Sequence, residues 1–272
     1  LIRKKIMSEI YGSDAYSPPQ IAQRIEQTGV NKANLRIIPL VALAILAGAF
    51  IGLGALYYTI VVADPELGFA ASRVLGGAVF SLGLILVIVA GAELFTGNNL
   101  MVMAWVSRRI SGVLLARNLI VVYFGNFAGA VGLAGLVYFS GHWRMANGAI
   151  GEAAIAIAQA KVALPWQEAF FRGVLCNLLV CLAVWIAMGA RTVAGKILAV
   201  LFPISAFVAA GFEHCVANMY FLPLGMLIGG ADTISPANFA ASLIPVTLGN
   251  IVGGSVLVGL VYRLIYHRQS SG

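Results

Sequence analysis

Of 272 residues, 61% are hydrophobic and only 10% are charged, a mix that excludes an ordinary soluble globular domain. The formal charge of +7 has the sign that nucleic acid demands, but its placement excludes that partner: the basic residues are dealt out between apolar runs instead of gathered into one patch. What remains is a chain made for a bilayer.

Residues 1–36 precede any apolar run and are expected to form a cytoplasmic N-terminal segment. Leu1 in first place, with Met7 close behind, is expected to reflect either a cloning remnant or a misplaced start. Within the segment, 17–35 has the signature of a short amphipathic helix. Ser17 can cap it, and Pro18 and Pro19 suit a first turn whose amides need no partner. Ile21, Ala22 and Ile25 share one face, Gln23, Arg24 and Gln27 lie elsewhere, and Gly29 is expected to end it. Such a helix serves either as a membrane-surface anchor or as a cytoplasmic plug or gate.

A straight crossing takes about 20 apolar residues. Six stretches qualify, at roughly 37–62, 69–93, 115–140, 166–189, 197–228 and 237–266. They divide the chain into a first three-span repeat over 37–140, an external connection over 141–165, and a second three-span repeat with a basic C-terminus over 166–268. The connection holds an Ala-rich run, 153–163, expected to be a helix at the outer surface ending before Pro165. The fifth stretch is too long for one crossing and contains Glu213 and His214, while the second ends in Glu93 and runs into a Gly97-Asn98-Asn99 turn. Both are therefore expected to be broken.

Charge sets the orientation. Arg3, Lys4, Lys5, Arg24, Lys32, Arg36, Arg108, Arg109, Arg117, Arg191, Lys196, Arg263 and Arg268 fall on one side, against Arg73, Arg144, Lys161 and Arg172 on the other, where Asp64, Glu66 and Asp232 also lie. Thirteen basic residues against four place both termini in the cytoplasm. The first apolar run begins near residue 37 and is too long for a cleavable signal peptide.

Two internal repeats accompany these runs. GAELFTGNN at 91–99 returns as GFEHCVANM at 211–219, so Gly91, Glu93 and Asn98 recur as Gly211, Glu213 and Asn218. VYFGNFAGAVGLAGLVY at 122–138 returns as VTLGNIVGGSVLVGLVY at 246–262, carrying Gly125-Asn126 onto Gly249-Asn250. With three spans per half the halves cross in opposite senses, an inverted repeat whose polar interruptions mark a substrate path. Four-residue steps of small residues (Ala44, Gly48, Gly52; Gly125, Gly129; Gly249, Gly253) let helices approach closely. Cys176, Cys181 and Cys215 have neither disulfide nor metal spacing and are expected to pack as small apolar residues.

GAELFTGNN, FVAAGFEHCVANM (207–219) and AKVALPWQEAFFRGVLCNLLV (160–180) together resemble the formate/nitrite transporter family, and the likeness extends from about residue 18 to 266. FSLGLIL at 80–86 is most similar to its formate-channel branch. The resemblance implies a homopentamer of six-span, all-α protomers with an aquaporin-like fold, each with its own pore. It also implies residue roles. His214 would be the single pore histidine, with Thr96 and Asn177 as its polar neighbours. Leu94, Phe95 and Thr96 would lie in the loop that breaks the second span. Phe80 and Phe207 would form an outer constriction and Leu84 with Leu94 an inner one. Lys161 would be an electrostatic attractor in the outer vestibule.

The residues themselves add to this. An ionisable group in hydrocarbon is costly, so His214, the only histidine inside an apolar run, is expected to work. No second histidine or cysteine cluster completes a zinc site around it, and no cofactor motif accompanies it. Asn177, a buried amide, needs a partner, and His214 is a candidate. Glu93 and Glu213 are expected to hold the breaks in shape, with Asn98 and Asn218 satisfying the freed backbone; a bare carboxylate would repel an anion. Glu168 and Arg172 read as a surface pair one helical turn apart.

The function expected is a formate channel or proton-coupled formate transporter of the bacterial inner membrane, with formate, the proton and the lipid as partners. Nitrite or hydrosulfide is the alternative. An enzyme using Glu213-His214 as acid and base would lack any nucleophile, metal or cofactor.

Overall fold

The computed structural model describes residues 14–230 and 233–267; Arg3, Lys4, Lys5, Asp232 and Arg268 lie outside them. Among the described residues every regular element is helical. Helix α1 is Pro18–Ala33, α2 Ile37–Val62, α3 Phe69–Gly91, α4 Gly112–Phe139, α5 Ala149–Val162, α6 Trp166–Gly189, α7 Val193–Ala209, α8 Cys215–Gly229 and α9 Pro236–Tyr266. Five of them (α2, α3, α4, α6, α9) are long and apolar enough to cross a membrane. The fifth expected span is instead two shorter helices, α7 and α8, separated by residues 210–214.

Small residues decide how the long helices pack. A Cβ on Gly125 would collide with Ala44, and one on Gly129 with the Ile45 carbonyl, so α2 and α4 meet backbone to backbone. In the second half Gly249 stands against the Phe170 carbonyl and Gly253 against that of Val174, pressing α9 onto α6 in the same way. Outward, large apolar side chains such as Phe69, Phe124, Phe139 and Phe202 lie exposed around the bundle, a surface that suits lipid and not water.

Helix α1 begins as its sequence suggests, with the Ser17 amide donating to Gln20 Oε1 at 2.9 Å. It does not end at Gly29. It continues to Ala33, because Gly29 is a packing site: a Cβ there would lie 3.1 Å from Ala104 Cβ. Its apolar face is covered by protein, with Ile21, Ala22 and Ile25 buried among Leu100, Met103 and Trp185. Helix α5 starts a turn earlier than the Ala-rich run, and Ile150, Ala154 and Ala158 are buried, the helix packing on α8.

The first break also differs from expectation. Helix α3 ends in a π-helical turn at Gly91, and only residues 92–94 are non-helical. Phe95 and Thr96 open the next helix, Phe95–Asn98, and Asn99–Met101 and Val102–Val106 continue it, so Gly97-Asn98-Asn99 is helical and not a turn.

Candidate functional site

Two breaks face each other in the middle of the molecule, built alike. Each follows a glycine with a left-handed backbone, Gly91 at φ +89° and Gly211 at φ +74°, a conformation that a side chain would strain. Beyond the glycine the chain runs extended and must find partners for its freed amides and carbonyls. One asparagine per half supplies them. Asn126 accepts from the Phe95 amide at 2.9 Å and donates to the carbonyls of Glu93 at 2.9 Å and Ala44 at 2.8 Å. Asn250 accepts from the Cys215 amide at 2.9 Å and donates to the carbonyls of Glu213 at 2.9 Å and Gly173 at 2.8 Å. The task does not fall to Asn98 and Asn218, although the sequence leads one to expect it. The signal for the right pair was present, an amide repeated in Gly125-Asn126 and Gly249-Asn250.

Asn98 and Asn218 serve the carboxylates instead. Asn98 Nδ2 donates to Glu93 Oε2 and Asn218 Nδ2 to Glu213 Oε2, each at 2.7 Å. Every carboxylate also carries a lysine. Lys32, at the end of α1, donates to Glu93 Oε1 and Asn98 Oδ1, both at 2.8 Å. Lys161, near the end of α5, donates to both oxygens of Glu213 at 2.9 and 3.0 Å. Asn118 adds an acceptor for Asn98 Nδ2 at 2.8 Å, for which Asn218 has no counterpart, and Asn218 Oδ1 is buried without a partner among the described residues. Lys32 and Asn118 were not singled out from sequence.

The halves diverge at one polar pair. His214 is the N-cap of α8, where its Nδ1 accepts the Ala217 amide at 3.1 Å. An accepting Nδ1 leaves the neutral ring's proton on Nε2, which lies 3.0 Å from Thr96 Oγ1. Nε2–H therefore donates to Thr96, whose own hydroxyl proton stays free for another acceptor. The imidazole stacks on Phe207 at 5.9 Å and 19°, and Phe207 meets Phe80 edge-on at 5.7 Å. By the repeat, Leu94 occupies the place of His214 and Val216 that of Thr96. Each half gives one member of the pair.

Asn177 is not a partner of His214. Its Nδ2 donates to the Thr96 carbonyl at 3.2 Å and to that of Asn250 at 2.6 Å, because α6 runs behind the break and faces its backbone. Asn99 Nδ2 reaches the same Thr96 carbonyl at 3.3 Å, and Ser255 Oγ donates to Asn99 Oδ1 at 2.9 Å. Thr96 is thus held from behind while its hydroxyl meets the histidine.

A cavity opens on either side. An aromatic cavity of about 190 Å³ is lined by Tyr58, Phe80, Phe207 and Phe221, together with His214, Lys161 and Glu213. An aliphatic cavity of about 420 Å³ is lined by Leu43, Leu84, Val87 and Leu94, with Lys32, Glu93 and residues Ile25, Thr28 and Gly29 of α1. Phe95 lines neither; it is buried against Tyr123, ring centroids 5.0 Å apart. Glu168 and Arg172 are paired at 2.8 Å on an exposed turn of α6. Among the described residues no three metal-ligating side chains converge.

The comparisons agree with this architecture. Residues 19–264 match the profile of the family described as Formate/nitrite transporter. The formate channel FocA of Haemophilus influenzae is 40% identical over 271 residues, covering 93% of this chain and 95% of that one. A solved pentameric formate channel with formate bound superposes with a TM-score of 0.76 at 39% identity, covering 85% of this chain and 98% of that chain. A second solved structure, an FNT family ion channel, gives a TM-score of 0.83 at 31% identity, with 90% and 98% covered. Two equivalent breaks in an apolar bundle, read with a profile spanning nearly the whole chain, make this a multi-pass membrane protein that belongs to the formate/nitrite transporter family.

Proposed function

We propose that the chain is a formate channel, one protomer of a homopentamer in which every protomer carries its own pore. In this reading α7 and α8 together make the fifth of six crossings, related to the first half by an aquaporin-like inverted repeat. The excess of basic residues beside α1 puts both termini, and the aliphatic cavity, on the cytoplasmic side of a bacterial inner membrane. The aromatic cavity then faces out. The formate channels among its relatives support the choice of permeant.

The observation that carries the reading is the His214–Thr96 pair, 3.0 Å apart, with a cavity lined by Phe80 and Phe207 on one side and one lined by Leu84 and Leu94 on the other. A small anion loses its water in such constrictions at a cost of several kcal/mol or more, whereas the neutral acid pays far less. Formate that takes up a proton at the cavity wall can pass the rings as formic acid. At the centre, the free Thr96 hydroxyl donates to a permeant oxygen, and the Nε2–H bond fixes that hydroxyl's direction. Protonating Nδ1 would set two donors against each other at the Ala217 amide, so the pair is built to guide the permeant rather than to relay its proton. In this reading the protein is a conduit and not an enzyme.

Purified protein in liposomes tests this, with formate, acetate, lactate, nitrite and hydrosulfide flux compared at pH 5 and pH 7.5. Formate flux that rises in acid, ahead of lactate, is the expected result. Nitrite or hydrosulfide flux well above formate would overturn the choice of permeant.

A further inference from the structure

The charges around the aromatic cavity do not balance, and the surplus sits on a residue with no role so far. Three cations line it, Arg73, Lys161 and Arg172, with one carboxylate, Glu213. Lys161 is committed to Glu213 through both oxygens, and Arg172 to Glu168. A paired charge contributes little field at a distance of several ångströms, because its partner cancels it. Arg73 alone among these lining cations has no carboxylate partner among the described residues.

Its position is fixed by other bonds. Arg73 Nε donates to the Ala209 carbonyl at 2.9 Å, at the C-terminal end of α7, where a cation also meets the negative end of the helix dipole. Nη1 reaches the Tyr58 hydroxyl at 3.3 Å. Nη2 lies 2.6 Å from where a Cβ on Gly211 would stand, so the bare glycine leaves room for the guanidinium over the second break. The equivalent position in the other half is Val193, and Lys32 of the aliphatic cavity is paired with Glu93.

We infer that Arg73 is the cation that draws the permeant anion into the aromatic cavity, and that its planar guanidinium favours a planar carboxylate. This assigns to Arg73 the attraction that the family resemblance implies for Lys161. It rests on the channel reading and deepens it. A guanidinium presents parallel N–H donors that match the two oxygens of a carboxylate, which an ammonium does not. Bound by one neutral carbonyl and one phenol, it keeps its full charge while its place is set, which suits a site that must attract an ion and then release it.

The test uses the full chain in liposomes, with formate influx measured over a concentration series at low and high salt for the unmodified protein, Arg73→Gln and Arg73→Lys. Arg73→Gln should raise the half-saturating formate concentration roughly five-fold, leave the maximal rate nearly unchanged, and flatten the salt dependence, since the focusing charge is gone. Arg73→Lys should keep the salt dependence but still raise half-saturation, because the charge stays and the fork is lost. Half-saturation and salt dependence unchanged in Arg73→Gln would overturn the inference. So would a fall in maximal rate alone, the mark of a residue that merely braces the break. Should Arg73→Gln not assemble, Arg73→Lys decides by its half-saturation. If the unmodified chain passes nitrite and not formate, the formate reading fails, while the same salt series with nitrite still judges Arg73.

Discussion

The aromatic and aliphatic cavities are two versions of one construction. Each ends at a non-helical interruption, each interruption is bracketed by an asparagine from the last helix of its half, and each has a lysine, a glutamate and an asparagine locked together beside it. They differ in what faces the open space: rings and His214 in one, aliphatic side chains and Leu94 in the other. The shared parts are those that the backbone needs in order to break inside an apolar bundle. The differing parts are free to specialise, and it is there that the polar pair and the unpaired Arg73 lie.

The sharpest way to break this comparison is to remove a lysine. Lys161→Ala would strand the Glu213 carboxylate, whose side chain is 6% exposed, and loss of one partner of a buried pair costs about 3–5 kcal/mol. Lys32→Ala should cost less, because the Lys32 side chain is 24% exposed against 15% for Lys161, and water can reach the remaining charge. Thermal unfolding in detergent would rank them. A second substitution, Glu213→Gln beside Lys161→Ala, should recover most of the loss; no recovery would mean that the lysine supports the fold by packing alone.

Asn250→Ala and Asn126→Ala should follow in size. Each removes three buried hydrogen bonds, two to a break and one to a carbonyl of a neighbouring helix, worth about 1 kcal/mol apiece. The halves being alike here, the two losses should agree to within about 1 kcal/mol, and a marked inequality would show that one break is braced by other means.

His214→Leu makes the second half copy the first. It removes the cap on the Ala217 amide, worth about 1 kcal/mol, and should leave the protein folded. Formate flux should fall, because Thr96 loses the Nε2–H bond that aims its hydroxyl, while the flux ratio between pH 5 and pH 8 should stay close to that of the unmodified protein, since the pair guides the permeant and does not relay its proton. A folded variant with unmodified formate flux would remove His214 from the transport mechanism, and a changed pH ratio would show that the histidine does relay the proton.

Tyr220→Phe sharpens the comparison from the other end. Tyr220 is fully buried, and its hydroxyl finds no partner among the described residues. Deleting an unsatisfied hydroxyl should shift stability by less than about 0.5 kcal/mol, or raise it slightly. A drop of several degrees in unfolding temperature would reveal a hydrogen bond not yet identified.

Much of the helical frame was legible. The runs 37–62 and 166–189 coincide with α2 and α6, since about 20 uninterrupted apolar residues have few other ways to satisfy their backbone. The run 197–228 told less: Glu213 and His214 announced an interruption, but where α7 stops and α8 starts depends on Gly211 and on the cap that His214 supplies. Asn177 was recognised as an amide needing a partner, yet its partners are carbonyls 81 and 73 residues away. Lys32 read as one more basic residue near the first span, because Glu93, 61 residues on, is brought to it only when α1 folds back over the aliphatic cavity.

By itself the sequence determined the apolar runs, the duplication and the residues repeated in both halves, because periodicity, length and residue identity are local properties of a chain. Which asparagine brackets a break, which lysine is neutralised and which arginine is left over were decided by the tertiary structure alone. Hydrogen bonds and charge pairing act over about 3 Å, and that proximity is set by how closely glycine-lined helices can approach.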